Sequence, residues 1–459
     1  MVGRVSCRRL FLVGGPVRDA LLGRALRDLD FMITGASAEE LTQAWGEPTG
    51  QVFPVWRVHP IGWAEPVEVA AARREVKAGV GHRGFRVEFG PEVTVEADLH
   101  RRDLTINSIS LLVWEGDRVP RAEDPAWEEV RKAVDAFLTN PWAHRDRIVD
   151  PFGGLEDLKA GVLRAPDPGV FAEDPLRVLR LARFRARFGF RVDPGTLEAA
   201  RRVVFSGELQ TLSAERVWME WVKVSKAKRP DLFLQTLHEL GALEQLPGLG
   251  WLAKAARLGH AHHQESQFEH ALLVVRAAAA LLEDPRVVAP VAPGTEGAEV
   301  VDRVKVITAA LFHDLGKTLV PAPEVSCVGH DQFTSEVQAQ LTALRAPARI
   351  AKAAALWAEI HMKVHGVRRP GKVLAVFQEG LSRFTPTELG ILAGADTAGR
   401  VPFDLERGIE EALRVRRLAE LTQQVLREVT GAAVKSVKPG PEFGRRLHAL
   451  RAARLAVLM

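Results

Sequence analysis

The chain has no tyrosine and only two cysteines, Cys7 and Cys327, in 459 residues. The cysteines stand far apart and outside any metal-binding spacing. That excludes a disulfide framework and fits a reducing compartment. No apolar run approaches the roughly 20 residues that a membrane span requires. The basic start runs into LeuPheLeuVal (10–13), too short for the core of a signal peptide. A cytoplasmic protein without membrane contact is expected. An excess of one charge is missing too: 62 Lys and Arg face 58 Asp and Glu, for a net charge of +4 and a pI near 9.2. Such a balance points only weakly to a polyanionic partner. The loss of tyrosine removes one kind of stacking side chain, and nothing in the sequence explains it.

What is present suffices for real cores, since 47% of residues are hydrophobic. The length suggests about three domains. LeuPheLeuVal reads as a buried strand ending at Gly14-Gly15. Pro16 opens a short helix closed by Gly23. A second strand covers 27–33, SerAlaGluGlu (37–40) reads as a helix start, and Val67 to Val69 form another strand. This alternation predicts a small α/β domain. Residues 71–90 are basic and glycine-rich and read as a mobile loop. Residues 114–148 read as an insertion with a short charged helix and several tryptophans. From 173 onward apolar residues recur at three- and four-residue spacing, which predicts helices. The clearest break, rich in Pro, Gly and acid, is 284–303.

The chemistry starts at Asp28 and Asp30. Residues two apart on a strand share a face, and two carboxylates there can hold a pair of divalent ions roughly 4 Å apart. Gly14-Gly15, between a strand and a helix, lets backbone N–H groups approach phosphates. Arg18 follows on the first helical turn, where a guanidinium suits a triphosphate.

LeuValGlyGlyProValArgAsp (12–19) and ArgAspLeuAspPhe (27–31) resemble the opening of the class II tRNA nucleotidyltransferase and bacterial poly(A) polymerase family, with its polymerase-beta-like head. ArgArgAspLeuThrIleAsn (101–107) is similar to the family's second motif. AspProPheGlyGlyLeuGluAspLeuLysAlaGly (150–161) resembles the third, GluAspProLeuArgValLeuArgLeuAlaArgPhe (173–184) the fourth and LeuSerAlaGluArgVal (212–217) the fifth. The motifs fall in family order over roughly 10–250. Pro16 departs from the pattern, where a small residue is more usual, and so does the stretch 114–148. The resemblance implies that Asp28 and Asp30 bind catalytic Mg²⁺. It implies that Gly14, Gly15, Arg18 and Arg102 meet the nucleotide triphosphate. Asp103 and Asn107 would arrange the ribose, and Arg180 and Arg183 would line the nucleotide pocket. Glu68, on a neighbouring strand, is a further metal-side carboxylate but reads more simply as a solvated strand position.

In the fourth motif Asp174 precedes Pro175 and is a natural helix cap, with Arg177 on the same face. A carboxylate accepts and a guanidinium donates. Cytosine and adenine each present an amino donor beside a ring-nitrogen acceptor, whereas uracil and guanine carry a carbonyl there. An Asp174/Arg177 pair would therefore select C and A, as the family is thought to do. Each mismatched buried group costs on the order of 1–3 kcal/mol.

A second constellation lies downstream. LeuPheHisAspLeuGlyLys (311–317) resembles the HD phosphohydrolases. The resemblance makes His270, His313, Asp314 and Asp396 metal ligands. Imidazole with carboxylate suits Ni, Mn, Co, Fe or Mg better than structural zinc. His330, His361 and His365 stand as secondary candidates, with His260, His262 and His263 nearby.

The expected architecture is an α/β head (1–165), a helical neck and RNA-binding segment (166–250), an α-helical HD domain (251–400) and a helical tail (401–459). The expected function is template-free addition and repair of the 3′-terminal CCA of tRNA from CTP and ATP, with metal-dependent phosphatase or 2′,3′-cyclic phosphodiesterase activity in the HD domain. The tRNA 3′ end is the expected partner, and no protein partner is implied. A partial CC- or A-adding enzyme or a poly(A) polymerase is the alternative within the class. Another class of alternative is an HD phosphohydrolase whose N-terminal domain only senses RNA.

Overall fold

The computed structural model describes residues 7–26, 28–50, 53–77, 85–258, 265–288, 299–321, 327–434 and 440–459. His260, His262 and His263 lie outside the described residues. The chain forms two compact units, Met1–Arg185 with Gly189–Thr211 and Ala186–Phe188 with Leu212–Met459. The expected division has four segments. The proposed boundaries at 250 and 400, like the break at 284–303, fall inside the second unit.

In the first unit β1 (Arg8–Val13) runs through Gly14 into α1 (Gly15–Leu21), and β2 (Asp30–Thr34) returns antiparallel beside it. α2 (Ala38–Trp45) is held at its start by a reciprocal Ser37–Glu40 cap. β3 (Val55–Val58) and β4 (Val67–Ala71) extend the sheet, β4 parallel to β2. β5 (Arg73–Lys77) and β6 (Phe85–Phe89) form a separate hairpin. α3 (Val95–His100), β7 (Ser110–Gly116), α4 (Ala126–Thr139) and β8 (Ile148–Val149) follow. The sheet order is β3-β4-β2-β1-β7-β8. α5 (Gly154–Ala160), β9 (Val162–Leu163), α6 (Leu176–Phe188), β10 (Arg191–Val192) and α7 (Pro194–Phe205) come next, β9 and β10 pairing in parallel.

The central strands are buried on both faces, so they read as continuous apolar runs. Leu10, Leu12, Phe31 and Ile33 alternate with Phe11, Val13 and Met32, and all seven are buried. The second set packs with Val93, Val95 and Leu99.

Two expectations change here. The stretch 114–148 is no appendage. Its ends belong to the sheet, Trp114 to β7 and Ile148 to β8. Trp127 on α4 is fully buried, and its ring lies 6.4 Å from those of both Trp45 and Trp63. Trp63 in turn meets Phe31 edge-on at 6.2 Å. A fully buried indole such as that of Trp127 hides about 200 Å², on the order of 5 kcal/mol of transfer free energy before entropy is charged. The basic stretch 71–90 contains paired strands rather than a loop alone. Arg74 and Glu88 sit opposite each other and bridge at 2.6 Å, the cross-strand charge pairing that allows a charged sequence to form a hairpin. Beneath it, Arg73 stacks on Phe53 at 4.2 Å.

The second unit is helical: α8 (Ala214–Ser225), α9 (Asp231–Glu239), α10 (Gly250–Ala255), α11 (Gln267–Leu281), α12 (Arg303–Phe312), α13 (Thr334–Ala343), α14 (Ala348–Val364), α15 (Pro370–Gly380), α16 (Pro386–Ala398), α17 (Leu405–Glu428) and α18 (Pro441–Leu458). α16 is buried over nearly its whole length. Its Gly390 and Gly394 let α17 pass close. A Cβ on Gly394 would stand 2.3 Å from the Gly408 carbonyl oxygen, and one on Gly390 2.5 Å from that of Ala412. This contact fixes the helix that carries Asp396. Among the described residues, no helix is long and apolar enough to cross a membrane.

Candidate active sites

In the first unit a cavity of about 230 Å³ is lined by Gly15, Asp30, Glu68, Arg73, Asp98 and both Arg101 and Arg102, among others. Asp30 stands at the first position of β2, paired in register with Glu68 on β4. Asp28 lies just ahead of the strand, not within it. β4 starts only at Val67, so the ladder has no partner there for residue 28. Loss of water around Asp30, then the Glu68 carboxylate and then Asp28, raise the Asp30 carboxyl above its ordinary range, while Arg102 pulls it back. Three carboxylates opposing one another's ionisation are a donor set for divalent cations. Glu68, set aside in the sequence reading, stands in register with Asp30 and lines the same cavity. The oxygens of the three do not close to within 4.8 Å of one another, in contrast to the ligand groups in the second unit.

Gly14 takes a left-handed φ of 68°, which suits glycine. A Cβ on it would lie 2.6 Å from Arg102 Nη1. The turn is thus shaped around the arginine that lines the cavity. Arg102 also donates to Asp98 Oδ2 from Nε at 3.3 Å and Nη2 at 3.0 Å, and Arg101 Nη2 to Asp98 Oδ1 at 2.7 Å. Asp98 is 1% exposed. Burial pushes its carboxyl up, but the two guanidiniums overcome this and hold it at about 2. The sequence reading missed Asp98. Its placement three and four residues before Arg101 and Arg102 on a helix was the available signal.

Asp98→Asn removes that anchor. A folded pKa of about 2 against an ordinary 3.8 corresponds to about 2 kcal/mol at neutral pH. The contribution is present above pH 4 and is lost as pH falls through 2, because the folded value is the depressed one. Urea unfolding should show a deficit of about that size at pH 7, and wild type and variant should converge as pH drops from 4 towards 2.

The remaining expected nucleotide residues form a buried network beside the cavity. Arg18 is 4% exposed. It donates to Asp19 Oδ1 at 2.9 Å and to Asn107 Oδ1, and it faces the Phe184 ring at 5.4 Å. Asn107 Nδ2 donates to Asp103 Oδ1 at 2.7 Å, and Arg180 Nε donates to Asp103 Oδ2 at 2.6 Å. Burial opposes the charge on Asp103, yet Arg180 and Asn107 keep it well below the carboxylate range. Arg18 was expected on the triphosphate. Its contacts with a carboxylate, an amide and a ring tie α1 to the 101–107 motif.

Arg183 lies on α6 with its guanidinium over Phe184 at 4.3 Å. Asp174 accepts from the Leu176 N–H at 3.0 Å, as a helix cap should. Arg177 does not pair with it. Its Nη1 donates to the Val170 carbonyl at 2.5 Å and to Glu173 at 2.8 Å, and its Nη2 donates to the Arg101 carbonyl at 2.6 Å. Glu173 lies four residues before Arg177 and one turn below it, which is why it takes the guanidinium. Asp150, in the third motif, caps α5 through the Gly154 and Leu155 N–H groups.

The second unit gathers six metal-type side chains. His270, His313 and Asp396 form one group, and Asp314, His330 and His361 the other, each with ligand atoms within 4.8 Å of one another. His330 and His361, secondary candidates in the sequence reading, are therefore central. All four imidazoles are oriented alike. Nδ1 of His270, His313, His330 and His361 lies 2.7–3.0 Å from the carbonyl oxygens of Gly399, Ala310, Cys327 and Ala358. An Nδ1–H donated to a carbonyl leaves the Nε2 lone pair for a metal. Asp314 spans both groups. Its Oδ2 lies 3.4 Å from His270 Nε2 and 3.2 Å from His313 Nε2; its Oδ1 lies 3.3 and 3.4 Å from Nε2 of His330 and His361.

Three observations show that this set fits cations. Nε2 of His330 and His361 stand 3.2 Å apart with both Nδ1 atoms already on carbonyls, so two lone pairs face each other. His313 Nε2 and Asp314 Oδ1 are buried without a hydrogen-bond partner. Burial pushes the His361 imidazole down, which favours the neutral ligand form. Burial alone would also lower His313, but Asp314 and Asp396 draw it up, as anions that attract a proton or a metal do. Lys317 Nζ holds Asp314 Oδ2 at 2.5 Å, and His365 Nε2 holds Asp396 Oδ2 at 2.8 Å. Burial opposes the charge on His365, yet Asp396 and Glu411 push it up to about 9. It is a support for Asp396 rather than a ligand. Gly316 permits the closure: a Cβ there would lie 2.0 Å from the His330 carbonyl oxygen.

Comparison with known proteins gives the family. The poly(A) polymerase head-domain model matches residues 10–119, a probable RNA- and SrmB-binding site of polymerase A matches 189–252, and the HD-domain model matches 268–383. A multifunctional CCA protein of Chromobacterium violaceum is 37% identical over 403 residues, 86% of each chain. One of Methylococcus capsulatus is 35% identical over 462 residues, 97% of this chain and 94% of that one. Among solved structures, the Bacillus stearothermophilus CCA-adding enzyme in complex with CTP superposes with a TM-score of 0.58 at 21% identity, covering 98% of this chain and 89% of that one. A tRNA nucleotidyltransferase complexed with a primer tRNA and an incoming ATP analog gives 0.53 at 20% identity over 91% and 97%. These last two likenesses are of fold.

Proposed function

Since the chain belongs to the family of multifunctional CCA proteins, we propose that it builds and repairs the 3′-terminal CCA of tRNA from CTP and ATP, and that its HD centre hydrolyses phosphate esters. The observation that carries the transferase is the cavity in which Asp30 and Glu68 face Gly15 and Arg102. Asp28, Asp30 and Glu68 would hold Mg²⁺, which supplies charge stabilisation at the transferring phosphorus. The backbone at Gly14-Gly15 and the Arg102 guanidinium would hold the triphosphate. Arg18, Asn107, Asp103 and Arg180 keep α1, the 101–107 motif and α6 in register. Arg177 retains Nε–H and one Nη2–H for a base edge, with Asp174 beside it in sequence as the acceptor. Selection of C and A would then rest on two neighbouring groups, each tied down separately.

At the HD centre two divalent cations would sit on either side of Asp314, one on His270, His313 and Asp396, the other on His330 and His361. Bound there, they would supply a water nucleophile and charge neutralisation on the phosphate. A transition metal such as Ni, Mn, Co or Fe suits the imidazole-rich set. For a 2′,3′-cyclic phosphate the water oxygen adds to phosphorus, one ring P–O bond breaks and the ribose oxygen leaves with a proton. Cys7 and Cys327 are thiols rather than a disulfide, which fits a cytoplasmic setting.

The test uses tRNAs ending before CCA, after C and after CC, each with CTP, ATP or both, and sequenced products. Full CCA on all three with both nucleotides is expected, and CC with CTP alone on the first. UTP and GTP should not be incorporated. Products limited to CC, to a single A or to runs of A would replace this reading by a partial enzyme or a poly(A) polymerase.

A further inference from the structure

Beside the HD centre lies a cavity of about 550 Å³, within the range of ligand-binding clefts. Its lining carries Lys363, Arg368, Arg369 and Lys372 and no carboxylate. Lys363 is bridged to Glu359 at 3.5 Å. Among the described residues no carboxylate lies within 4 Å of Arg368, Arg369 or Lys372. A run of exposed cations is most often a solvated face. Three features separate this one from that case. The cations line a concavity instead of a convex face. His365 belongs to its wall and bonds Asp396 at 2.8 Å, so the cavity opens next to a metal ligand. The first turn of α15 starts here without a side-chain cap, which adds unpaired N–H groups and the positive end of a helix dipole.

The geometry points to a docking groove for the RNA strand whose terminal phosphate enters the HD centre: Arg368, Arg369 and Lys372 take phosphates upstream of the scissile one. This rests on the reading of the HD centre as a phosphohydrolase. Val367, Ala375 and Val376 offer apolar surface between the cations, as expected where a backbone is held without base readout. The spread of charge along residues 363–372 suits consecutive phosphates better than a single phosphate ion.

The test compares wild type with the triple variant Arg368→Ser, Arg369→Ser, Lys372→Ser as full-length, metal-loaded protein. One substrate is 2′,3′-cyclic CMP and the other a hexaribonucleotide ending in a 2′,3′-cyclic phosphate. In the variant, KM for the hexamer should rise at least tenfold with kcat within twofold, while both constants for cyclic CMP stay within twofold. The slope of log kcat/KM against log salt for the hexamer should flatten by about 2, roughly 0.7 for each lost phosphate contact. An unchanged KM for the hexamer overturns the proposal. So does an equal rise for cyclic CMP, which would make the groove a site for single nucleotides. A parallel loss of CCA addition overturns it too, by assigning the cations to the transferase. If wild type hydrolyses neither substrate, the phosphohydrolase reading fails by itself. The groove is then tested by photocrosslinking a 3′-phosphorylated hexamer with 4-thiouridine next to its end. Crosslinks within 363–376 support the docking groove, and crosslinks elsewhere overturn it.

Discussion

Asp30→Ala is expected to lower incorporation of CMP and AMP on the order of 10³-fold or more, and to leave hydrolysis at the HD centre within twofold. The size follows from the charge stabilisation that a metal supplies at the transferring phosphate, several kcal/mol, at about 1.4 kcal/mol for each factor of ten. Stability should not fall with it. The Asp30 carboxyl is raised by its loss of water and by Glu68 and Asp28. A raised carboxyl opposes folding once it ionises, so removal of this charge at neutral pH is neutral or stabilising. A normal melting temperature beside a lost transferase activity separates loss of chemistry from loss of fold. Asp28→Ala should behave alike, and Glu68→Gln should fall between it and wild type. If Asp30→Ala and Asp28→Ala both incorporate CTP at wild-type rates, the transferase assignment of this cavity fails. The class of enzyme would then be decided by the HD centre alone.

The parts of this molecule that could be read from the sequence share one property: their signals are local. The apolar runs at 10–13 and 31–33 become the paired centre of the sheet, with Gly14-Gly15 at the turn. Asp174 caps α6 because Pro175 follows it. The adjacent pair His313-Asp314 marks the HD centre directly. What escaped or ranked second needed partners distant in the chain. His330 and His361 are 31 residues apart and meet only because Gly316 lets the His330 backbone pass over it. No spacing rule reaches across that gap. Trp45, Trp63 and Trp127 gave no periodic signal, yet they pack into one cluster, tilted at one contact and edge-on at the other. The hairpin of β5 and β6 was hidden by its charge, since Arg74 and Glu88 neutralise each other only once paired. Arg18 was expected on the triphosphate, and Arg177 on the base edge beside Asp174. Each turned out to have buried acceptors within reach, Asn107 and Asp19 for Arg18, Glu173 and two carbonyls for Arg177. Arg18 ties its neighbours together, whereas Arg177 is anchored through Nη1 and one Nη2–H and keeps Nε–H and the other Nη2–H, and only three-dimensional placement shows that difference.

Asp314→Asn should abolish hydrolysis at the HD centre, with a loss on the order of 10³-fold or more, and should empty both cation positions while CCA addition persists. Asp314 is the one residue whose two oxygens face the two histidine groups, at 3.2–3.4 Å from four Nε2 atoms. An asparagine keeps one oxygen and turns the other ligand into an N–H donor aimed at lone pairs. It also removes the countercharge of Lys317, which is itself buried. Breaking such a pair from one side costs about 3–5 kcal/mol, so metal content must be read on protein shown to be folded by its intact CCA addition. His361→Ala provides the control, because it removes one neutral imidazole and no charge. It should release a single cation per chain, as measured by elemental analysis, and leave His270, His313 and Asp396 loaded. Two equivalents in wild type, one in His361→Ala and none in Asp314→Asn is the series that a shared carboxylate requires. One equivalent in wild type, unchanged in His361→Ala, would reduce the centre to a single metal on the first group and leave His330 and His361 as its walls.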